Sequence, residues 1–380
     1  MSRLPAERLA GFGTSIFTEM SALAERTGSI NLGQGFPDED GPIEVLDAAA
    51  AALHAGANQY APLPGVAALR AAIAAHQRSR YGLEHDPDTE VQVTFGATEA
   101  IAAALLGLCN PGDEVIALDP TYDSYAAGVA LAGARLRRVA LQPPDWRFDP
   151  AELEAAVSER TRLVLLNSPH NPTGRVLDRS ELEAVAAVCR EHDLIAVTDE
   201  VYEHLVFEGE HVPLATLPGM AERTLTVSSI GKTFSVTGWK IGWACGPAEL
   251  VAAVRGAKQF MTFAGGTPLQ HAAAVALGIA EAHGAWLATE LKAKRDRLCG
   301  GLERAGFEVL RPAGTYFVNA DVGADAVVFC RDLPERAGVV GIPTSVFSGD
   351  PERVKTLVRF AFCKREEVID EAARRLAALR

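Results

Sequence analysis

The chain has 380 residues, and 36 lysines and arginines against 49 aspartates and glutamates give a formal net charge of −13. This length predicts two domains with a large buried core, and a composition of 48% hydrophobic and 22% charged residues excludes a disordered or fibrous chain. The acidic balance disfavours nucleic acid and anionic membrane surfaces as partners, because both repel a negatively charged protein.

The apolar runs of the sequence predict no membrane-spanning segment. The longest of them, such as 101–109, fall well short of the roughly 18 residues that a spanning helix needs. The N-terminal stretch MSRLPAERLAGFG carries charges without a continuous apolar run, which is typical of neither a secretory signal nor a transit peptide. We therefore expect a cytoplasmic protein.

The cysteines and histidines predict neither a metal site nor a redox site. None of the six cysteines belongs to a CxxC pair, so we expect reduced thiols in the core. The nine histidines show no HExxH motif and no paired spacing. The cysteines are Cys109, Cys189, Cys245, Cys299, Cys330 and Cys363.

Short β-branched runs alternate with alanine-rich helical stretches along most of the chain. This alternation predicts an α/β domain with a mostly parallel sheet that is covered by helices on both faces. Proline, glycine and aspartate mark the ends of the elements. The predicted strands are 91–95, 114–118, 162–167, 194–198, 224–228 and 241–245, and the predicted helices lie near 98–108, 124–132, 150–157 and 180–192.

Beyond about Gly284 the pattern changes to that of a smaller α+β domain. A long charged helix reaches about Arg304, and the closing helix covers 366–379. The segment before Gly41 is too short to fold alone, so we expect it to pack on the C-terminal part or across a partner subunit. The predicted division is an arm with part of the small domain (1–40), a large domain (41–284) and a small domain (285–380), with small-domain strands at 315–320, 339–342 and 357–362.

A lysine in a loop rich in glycine and hydroxyl residues is the first candidate for chemistry. Lys232 follows the predicted strand 224–228, where partial desolvation would let its amine bind an aldehyde cofactor. A lone lysine is more often a surface residue. The adjacent GKT triplet does not form a nucleotide-binding P-loop, because that motif requires glycine where this chain has Thr226.

With Ser229, Gly238 and Lys240 around it, Lys232 resembles the cofactor lysine of the class I/II pyridoxal-phosphate aminotransferases. The chain is most similar to their kynurenine/glutamine/methionine branch, and to the actinobacterial N-succinyldiaminopimelate aminotransferases. The resemblance covers nearly the whole chain and includes further blocks in the family's order. These are NLGQGFP (31–37), NQY (58–60), GATE (96–99), PTYD (120–123), NSPHNPTG (167–174), TDEVY (198–202), GTYF (314–317) and VRF (358–360).

The resemblance implies a fold, a cofactor and an assembly. The fold is the pyridoxal-phosphate transferase fold type I, in which a large domain has a mostly parallel seven-stranded sheet covered by helices, beside a smaller α+β domain. The cofactor is pyridoxal 5′-phosphate, bound in the large domain, and the assembly is a homodimer. Other expected partners are an amino acid and a 2-oxo acid.

The cofactor ring needs a carboxylate at its pyridine nitrogen, and the resemblance gives this role to Asp199. This residue lies just past the predicted strand 194–198, where ligands of an open α/β sheet gather. By resemblance, Tyr122 stacks on the ring, and Asn171 and Tyr202 donate hydrogen bonds to its 3′-oxygen. The expected catalytic residues are Lys232, Asp199 and Tyr202.

The cofactor phosphate needs backbone amides, hydroxyls and a cation. The turn that contains Ala97 and Thr98 opens a predicted helix, whose N-terminal amides attract an anion. The resemblance adds Ser229 and Lys240 to the phosphate site. Many relatives have arginine where this chain has Lys240, and the lysine fits the kynurenine/glutamine branch. Tyr60 resembles a residue that reaches the phosphate of the neighbouring subunit.

The substrate carboxylate needs an arginine, and Arg359 resembles the family's carboxylate clamp. It lies between apolar neighbours in LVRFAF, and a buried guanidinium requires an anion. Gly35 is expected to allow close approach of the backbone to substrate. Phe17 matches a position that lines the side-chain pocket, although an aromatic core residue is the alternative interpretation.

Together these inferences predict an aminotransferase that moves an amino group between an α-amino acid and a 2-oxo acid by a ping-pong mechanism. The resemblance favours N-succinyldiaminopimelate and 2-oxoglutarate, with methionine, glutamine, kynurenine or aromatic amino acids as alternatives. A pyridoxal-phosphate carbon–sulfur β-lyase would use the same lysine and aspartate. A transcription regulator would need an added DNA-binding domain, and the aminotransferase-like segment starts within about 30 residues, too few for one.

Overall fold

The computed structural model describes residues 6–13 and 16–379. Its helices are α1 (Ile16–Thr27), α2 (Ile43–His54), α3 (Ala67–Tyr81), α4 (Gly96–Leu108), α5 (Asp123–Leu131), α6 (Pro150–Ala155), α7 (Arg179–Glu191), α8 (Ile230–Thr233), α9 (Ala248–Met261), α10 (Thr267–Gly278), α11 (Ala280–Arg304), α12 (Ala326–Ala337) and α13 (Glu366–Ala377). Its strands are β1 (Ile30–Asn31), β2 (Val91–Phe95), β3 (Glu114–Asp119), β4 (Arg135–Ala140), β5 (Thr161–Asn167), β6 (Ile195–Asp199), β7 (Thr224–Ser229), β8 (Ile241–Cys245), β9 (Glu308–Leu310), β10 (Phe317–Asp321), β11 (Val339–Val340), β12 (Ile342–Pro343) and β13 (Leu357–Ala361).

A seven-stranded sheet in the order β2-β8-β7-β6-β5-β3-β4 forms the centre of the molecule. Strands β3 to β7 pair in parallel, whereas β8 runs antiparallel to both of its neighbours, β2 and β7. Strands β3 and β6 are buried along their whole length, as expected for strands covered by helices on both faces. The predicted fold class is confirmed.

All six strands predicted for the large sheet are present, and each end lies within one residue of its predicted position. The seventh strand, β4, was not predicted. Its sequence RLRRVA carries three arginines and is mostly exposed or half-buried, because β4 forms one edge of the sheet. An edge strand needs apolar residues on fewer positions than a central one, so its sequence lacks the usual strand pattern.

A second, antiparallel sheet has the order β12-β13-β10-β9. The predicted strand 339–342 divides into β11 and β12, and only β12 joins this sheet. Strand β11 pairs in parallel with β1, and Met20 of α1 shares one apolar cluster with Val339 and Phe360. The N-terminal segment therefore packs on the C-terminal part of the chain.

The division into 1–40, 41–284 and 285–380 stays a prediction. Its boundary at 284/285 falls inside α11, which begins at Ala280. Helix α12 and strand β9 were not predicted. Helix α12 contains Pro334 within its last turn, a residue that normally argues against a helix interior.

The six cysteines are free and buried, as expected from the sequence. Burial raises the pKa of Cys109, Cys189 and Cys299 to about 12, because a thiolate loses its hydration in an apolar surrounding. Burial likewise raises the pKa of Cys363, to about 11.

Within residues 6–13 and 16–379, no single helix combines the length and the apolar composition that crossing a membrane requires. Helices α10 and α11 reach these limits only when taken together, and their axes are bent by 78°.

Candidate active site

A cavity of about 310 Å³ lies where the carboxyl ends of β5, β6 and β7 meet residues of β10 and β13. Parallel strands present their carboxyl ends at one edge of a sheet, and ligands of such sheets bind there. Of the predicted site residues, only Tyr60 is not part of the lining. Those that line the cavity are Phe17, Gly35, Ala97, Thr98, Tyr122, Asn171, Asp199, Tyr202, Ser229, Lys232, Lys240 and Arg359.

Strand register brings the polar residues of this edge together. Asn167 ends β5 and lies directly opposite Asp199, which is the last residue of β6 rather than the first residue after it. Ser229 ends β7, and Lys232 follows in the short helix α8. The side chain of Asn167 donates to the Asp199 carbonyl over 2.8 Å and accepts from the Asn171 backbone N–H over 2.7 Å. These bonds hold the ends of β5 and β6 together, and Ser229 at the end of β7 lines the same cavity.

The Asp199 carboxylate is buried and accepts a hydrogen bond of 2.6 Å from the Tyr125 hydroxyl. Burial raises the pKa of Asp199 to about 6, and the Tyr125 hydrogen bond opposes that rise by stabilising the charged form. Tyr125 was not predicted, although it lies two residues beyond the block 120–123. The other oxygen, Oδ1, accepts a long hydrogen bond of 3.4 Å from the Val201 backbone N–H and retains a lone pair for a protonated ring nitrogen.

Lys232 carries a half-buried amine in the wall of the cavity. Burial lowers the pKa of Lys232 to about 8, because an ammonium loses hydration in this cavity. Its Nζ lies 5.7 Å from the ring centroid of Tyr202 and 5.8 Å from that of Tyr316. Among the described residues, no hydrogen bond or ion pair engages this Nζ. Such an amine is partly neutral near physiological pH and can react with an aldehyde.

The N-terminus of α4 forms a positively charged corner of the cavity. Gly96 has φ +67°, and a Cβ added there would lie 3.4 Å from Lys240 Nζ, so this ammonium lies against the first turn of the helix. A Cβ at Gly242 of β8 would lie 2.6 Å from the Gly96 carbonyl carbon, which explains the close approach of the two segments. Helix amides, the Lys240 ammonium and the nearby Ser229 hydroxyl fit a phosphate group.

Arg359 on β13 is a buried cation that is 1% exposed. It donates to Asn171 Oδ1 over 2.8 Å and to the Gly33 carbonyl over 3.1 Å, while its Nε has no partner. Burial lowers the pKa of Arg359 to about 10. No carboxylate of the described residues forms an ion pair with it, so the guanidinium is suited to an incoming anion.

Three phenylalanines surround this guanidinium. Its carbon Cζ lies 4.0 Å from the ring centroid of Phe317, 4.8 Å from Phe347 and 5.3 Å from Phe17. Phe317 belongs to the quoted block 314–317 but was given no role, and Phe347 stands in no block. A Cβ added at Gly35 would lie 2.5 Å from Phe317 Cζ. Only glycine therefore leaves room at position 35 for the Phe317 ring that stacks on Arg359.

Tyr60 lies away from this chain's own cavity lining. Its side chain is 80% exposed and packs edge-on against Phe263, with ring centroids 5.7 Å apart. A role for Tyr60 at a neighbouring subunit's phosphate stays a prediction.

The cavity therefore fits one particular kind of cofactor. A reactive lysine can bind an aldehyde, a buried carboxylate can pair with a basic ring nitrogen, and a helix N-terminus beside an ammonium can bind a phosphate. The family model for aminotransferases of class I and II matches residues 27–376, and the chain belongs to this family. Its cofactor is pyridoxal phosphate, and it is an aminotransferase.

Named relatives agree with this assignment. A curated relative from Mycobacterium tuberculosis, named "Probable N-succinyldiaminopimelate aminotransferase", is 52% identical over 99% of this chain and 98% of its own. The methionine aminotransferase of Escherichia coli is 44% identical over 99% of this chain and 98% of its own. The solved structure of N-succinyldiaminopimelate aminotransferase from Mycobacterium tuberculosis has a TM-score of 0.96, covers 98% of this chain and 99% of its own, and is 53% identical.

Proposed function

We propose that this aminotransferase transfers the amino group of N-succinyl-L,L-2,6-diaminopimelate to 2-oxoglutarate. The observation that supports the reaction class at this site is the meeting of Lys232, Asp199 and Arg359 in one cavity. The substrate is supported by the identity of 52% to the relative from Mycobacterium tuberculosis that carries this activity in its name.

Each cavity residue has a distinct task in this proposal. When bound, the cofactor supplies an aldehyde that takes up the amino group and a ring that withdraws electrons from the substrate's α-carbon. Lys232 holds the cofactor through Nζ and, once released by the incoming amine, accepts the proton from the substrate's Cα at the same atom. Asp199 keeps the ring nitrogen protonated. Tyr122 covers the ring, and Tyr202 donates to the 3′-oxygen.

Asn171 links the two ends of the substrate site. Its Oδ1 accepts from Arg359, so its Nδ2 remains free to donate to the cofactor's 3′-oxygen. The phosphate is held by Ala97 and Thr98 at the start of α4, together with Ser229 and Lys240. Gly35 and Phe17 line the part of the cavity next to Arg359, which binds the substrate's α-carboxylate.

Methionine is the second candidate substrate, because the relative from Escherichia coli is an aminotransferase of that amino acid. Glutamine, kynurenine and aromatic amino acids stay alternatives. Phe17, Phe317 and Phe347 give the cavity an apolar side that suits such side chains. A carbon–sulfur β-lyase activity would release pyruvate and ammonia from cystathionine.

The proposal includes a homodimer in the cytoplasm. Several aromatic side chains are exposed in the described structure, among them Tyr60 and its neighbour Phe263, and exposed apolar surface is typical of an interface. Tyr60 and Phe260 are 80% and 86% exposed, and Phe36, which lines the cavity, is 47% exposed. A second copy that covers this surface would bring Tyr60 towards a neighbouring phosphate site. Sedimentation of the holoenzyme tests the dimer.

The deciding experiment follows the absorption of the lysine-bound cofactor while single amino acids are added without an oxo acid. The panel is N-succinyldiaminopimelate, glutamate, methionine, glutamine and kynurenine. Rapid loss of the band with the first two supports the proposed pair, and fastest loss with methionine replaces the proposed substrate. A band that no amino acid discharges, together with pyruvate release from cystathionine, favours the lyase.

A further inference from the structure

A second cavity of about 480 Å³ shares no lining residue with the first. Tyr81 at the end of α3 and the pair Glu203–His204, in the turn that follows β6, line it. Next to this cavity, His76 of α3 meets His204. Their Nε2 atoms are 3.2 Å apart, although the two residues are far apart in the chain. Sequence spacing gives no sign of this pair, because the tertiary fold alone brings it together.

His76, Glu203 and His204 form a cluster with the geometry of a metal site. Each can offer one ligand atom, and the three atoms lie within 4.8 Å of one another. In a tetrahedral zinc site with Zn–N bonds of about 2.0–2.1 Å, two ligating nitrogens are about 3.3–3.4 Å apart. The observed separation of 3.2 Å is close to that value. All three side chains are buried.

A shell of hydrogen bonds fixes the carboxylate of this cluster. Glu203 Oε1 accepts from the Ser228 hydroxyl over 2.7 Å, and Oε2 accepts from the Tyr81 hydroxyl over 2.6 Å. Each carboxylate oxygen has two lone pairs, so both retain an acceptor position for a metal. Hydrogen bonds of this kind orient the ligands of metal sites.

The imidazole of His204 is fixed by packing. A Cβ added at Gly284 of α11 would lie 2.9 Å from His204 Nδ1, so the helix lies directly against the ring. His76 packs edge-on to Tyr81, with ring centroids 6.0 Å apart. His76 Nδ1 has no partner among the described residues, so one orienting bond is missing.

We propose that His76, Glu203 and His204 bind one Zn²⁺ ion, with the fourth coordination position open to water from the second cavity. Three protein ligands and one water satisfy the coordination number of zinc, and the cavity provides the entry path. The ion joins α3 to the turn that follows Asp199 and contains Tyr202. Bound zinc therefore stabilises the segment that carries two residues of the aminotransferase cavity.

The test uses holoenzyme that has been passed over a chelating resin and then incubated with Zn²⁺ alone in a buffer that does not bind metals. Elemental analysis after gel filtration is expected to give one zinc per chain. Co²⁺ in place of Zn²⁺ is expected to give the intense visible bands of four-coordinate cobalt, at longer wavelength than the cofactor band.

Four variants separate a metal site from a simple pair of hydrogen-bonded histidines. H76Q and H204Q each remove a ligand and should weaken zinc binding by more than ~100-fold, because loss of an orienting partner alone costs about 10- to 100-fold. Tyr81→Phe keeps all three ligands and is expected to fall in that smaller range. H271Q, on an exposed part of α10, is the matched control and should bind like the original protein.

Two results would overturn the proposal. One is the absence of stoichiometric zinc in the unmodified holoenzyme. The other is equal zinc binding by H76Q, H204Q and the control, which would indicate adventitious surface binding. If either histidine variant fails to fold, the Tyr81→Phe affinity and the cobalt spectrum of the unmodified protein still decide the matter. None of these readouts depends on the amino acid that the enzyme uses.

Discussion

The Tyr125 hydroxyl gives a quantitative test of how Asp199 is tuned. Tyr125→Phe removes the 2.6 Å hydrogen bond and little else. A hydrogen bond to a charged group contributes about 1.5–3 kcal/mol, and 1.36 kcal/mol corresponds to about one pKa unit. The pKa of Asp199, raised by burial to about 6, should therefore rise by about one to two further units.

The direction of the effect on activity follows from the sign of this change. At pH 7 a carboxyl group with a pKa of about 6 is about 90% ionised, and at a pKa of 7–8 it is about 50% to 10% ionised. The ionised form is the partner of the ring nitrogen, and a protonated ring nitrogen opposes the rise in pKa. In the holoenzyme, kcat at pH 7 should therefore fall by up to about 10-fold and recover as the pH is raised.

The assay is the pH dependence of kcat and kcat/KM for Tyr125→Phe, the unmodified enzyme and a control. Thr216→Val is the control, because it removes a hydroxyl that donates to the Pro213 carbonyl and does not line the cavity. The acidic limb of the profile should move to higher pH only in Tyr125→Phe. An unchanged acidic limb, with intact folding and cofactor content, would refute the argument that this hydroxyl lowers the pKa of Asp199.

Four further predictions concern Lys232, Arg359 and Gly35, and the first two of them both concern Lys232. Lys232→Ala and Lys232→Arg should abolish turnover and covalent retention of the cofactor after desalting, and near-normal activity of either would overturn the assignment. In the unmodified protein, after removal of the cofactor, the rate at which added cofactor binds covalently to Lys232 should rise about tenfold per pH unit and level off near pH 8. Stopped-flow absorbance measures this rate. A rise that continues to about pH 10 would contradict the lowered pKa of Lys232. Arg359→Lys should raise KM by about 10- to 150-fold, because a charged hydrogen bond is lost, while the cofactor spectrum stays unchanged. Gly35→Ala should raise KM because the added methyl group displaces Phe317. Steady-state kinetics with an unchanged KM would contradict either prediction.

The central strands and most of the cavity could be predicted from sequence because their information is local. The strands around Asp199 and Lys232 are short apolar runs that end at polar residues, and that pattern locates both the sheet and its functional edge. The family blocks then supplied roles that spacing alone cannot supply. The same reasoning missed β4, whose arginines reflect an edge position that only the assembled sheet defines.

The unpredicted residues of the cavity owe their places to tertiary contacts. Phe347 lies in a short 3-10 helix just after β12, and its ring contacts Arg359 on the neighbouring strand β13; the sequence around Phe347 does not indicate this contact. In the sequence Tyr125 is an ordinary residue of an apolar helix, and only the fold shows that β6 brings Asp199 to its hydroxyl. His76 and His204 meet only because α3 packs beside the turn after β6. The partners of Tyr125 and His76 are remote in the chain, whereas Phe347 precedes Arg359 by only 12 residues.

The rate at which the six buried thiols react with an alkylating reagent would report local unfolding of this protein. A cysteine reacts with alkylating reagents as the thiolate, and at pH 8 a pKa of about 12 leaves about one thiol in ten thousand ionised. In the native state modification is therefore slow, and it accelerates wherever the chain opens locally. Cys189 lies in α7, which packs with the large sheet, and Cys245 lies in its strand β8, whereas Cys330 and Cys363 pack with the small sheet. Mass-resolved alkylation in denaturant would thus give the order in which the two sheets lose protection.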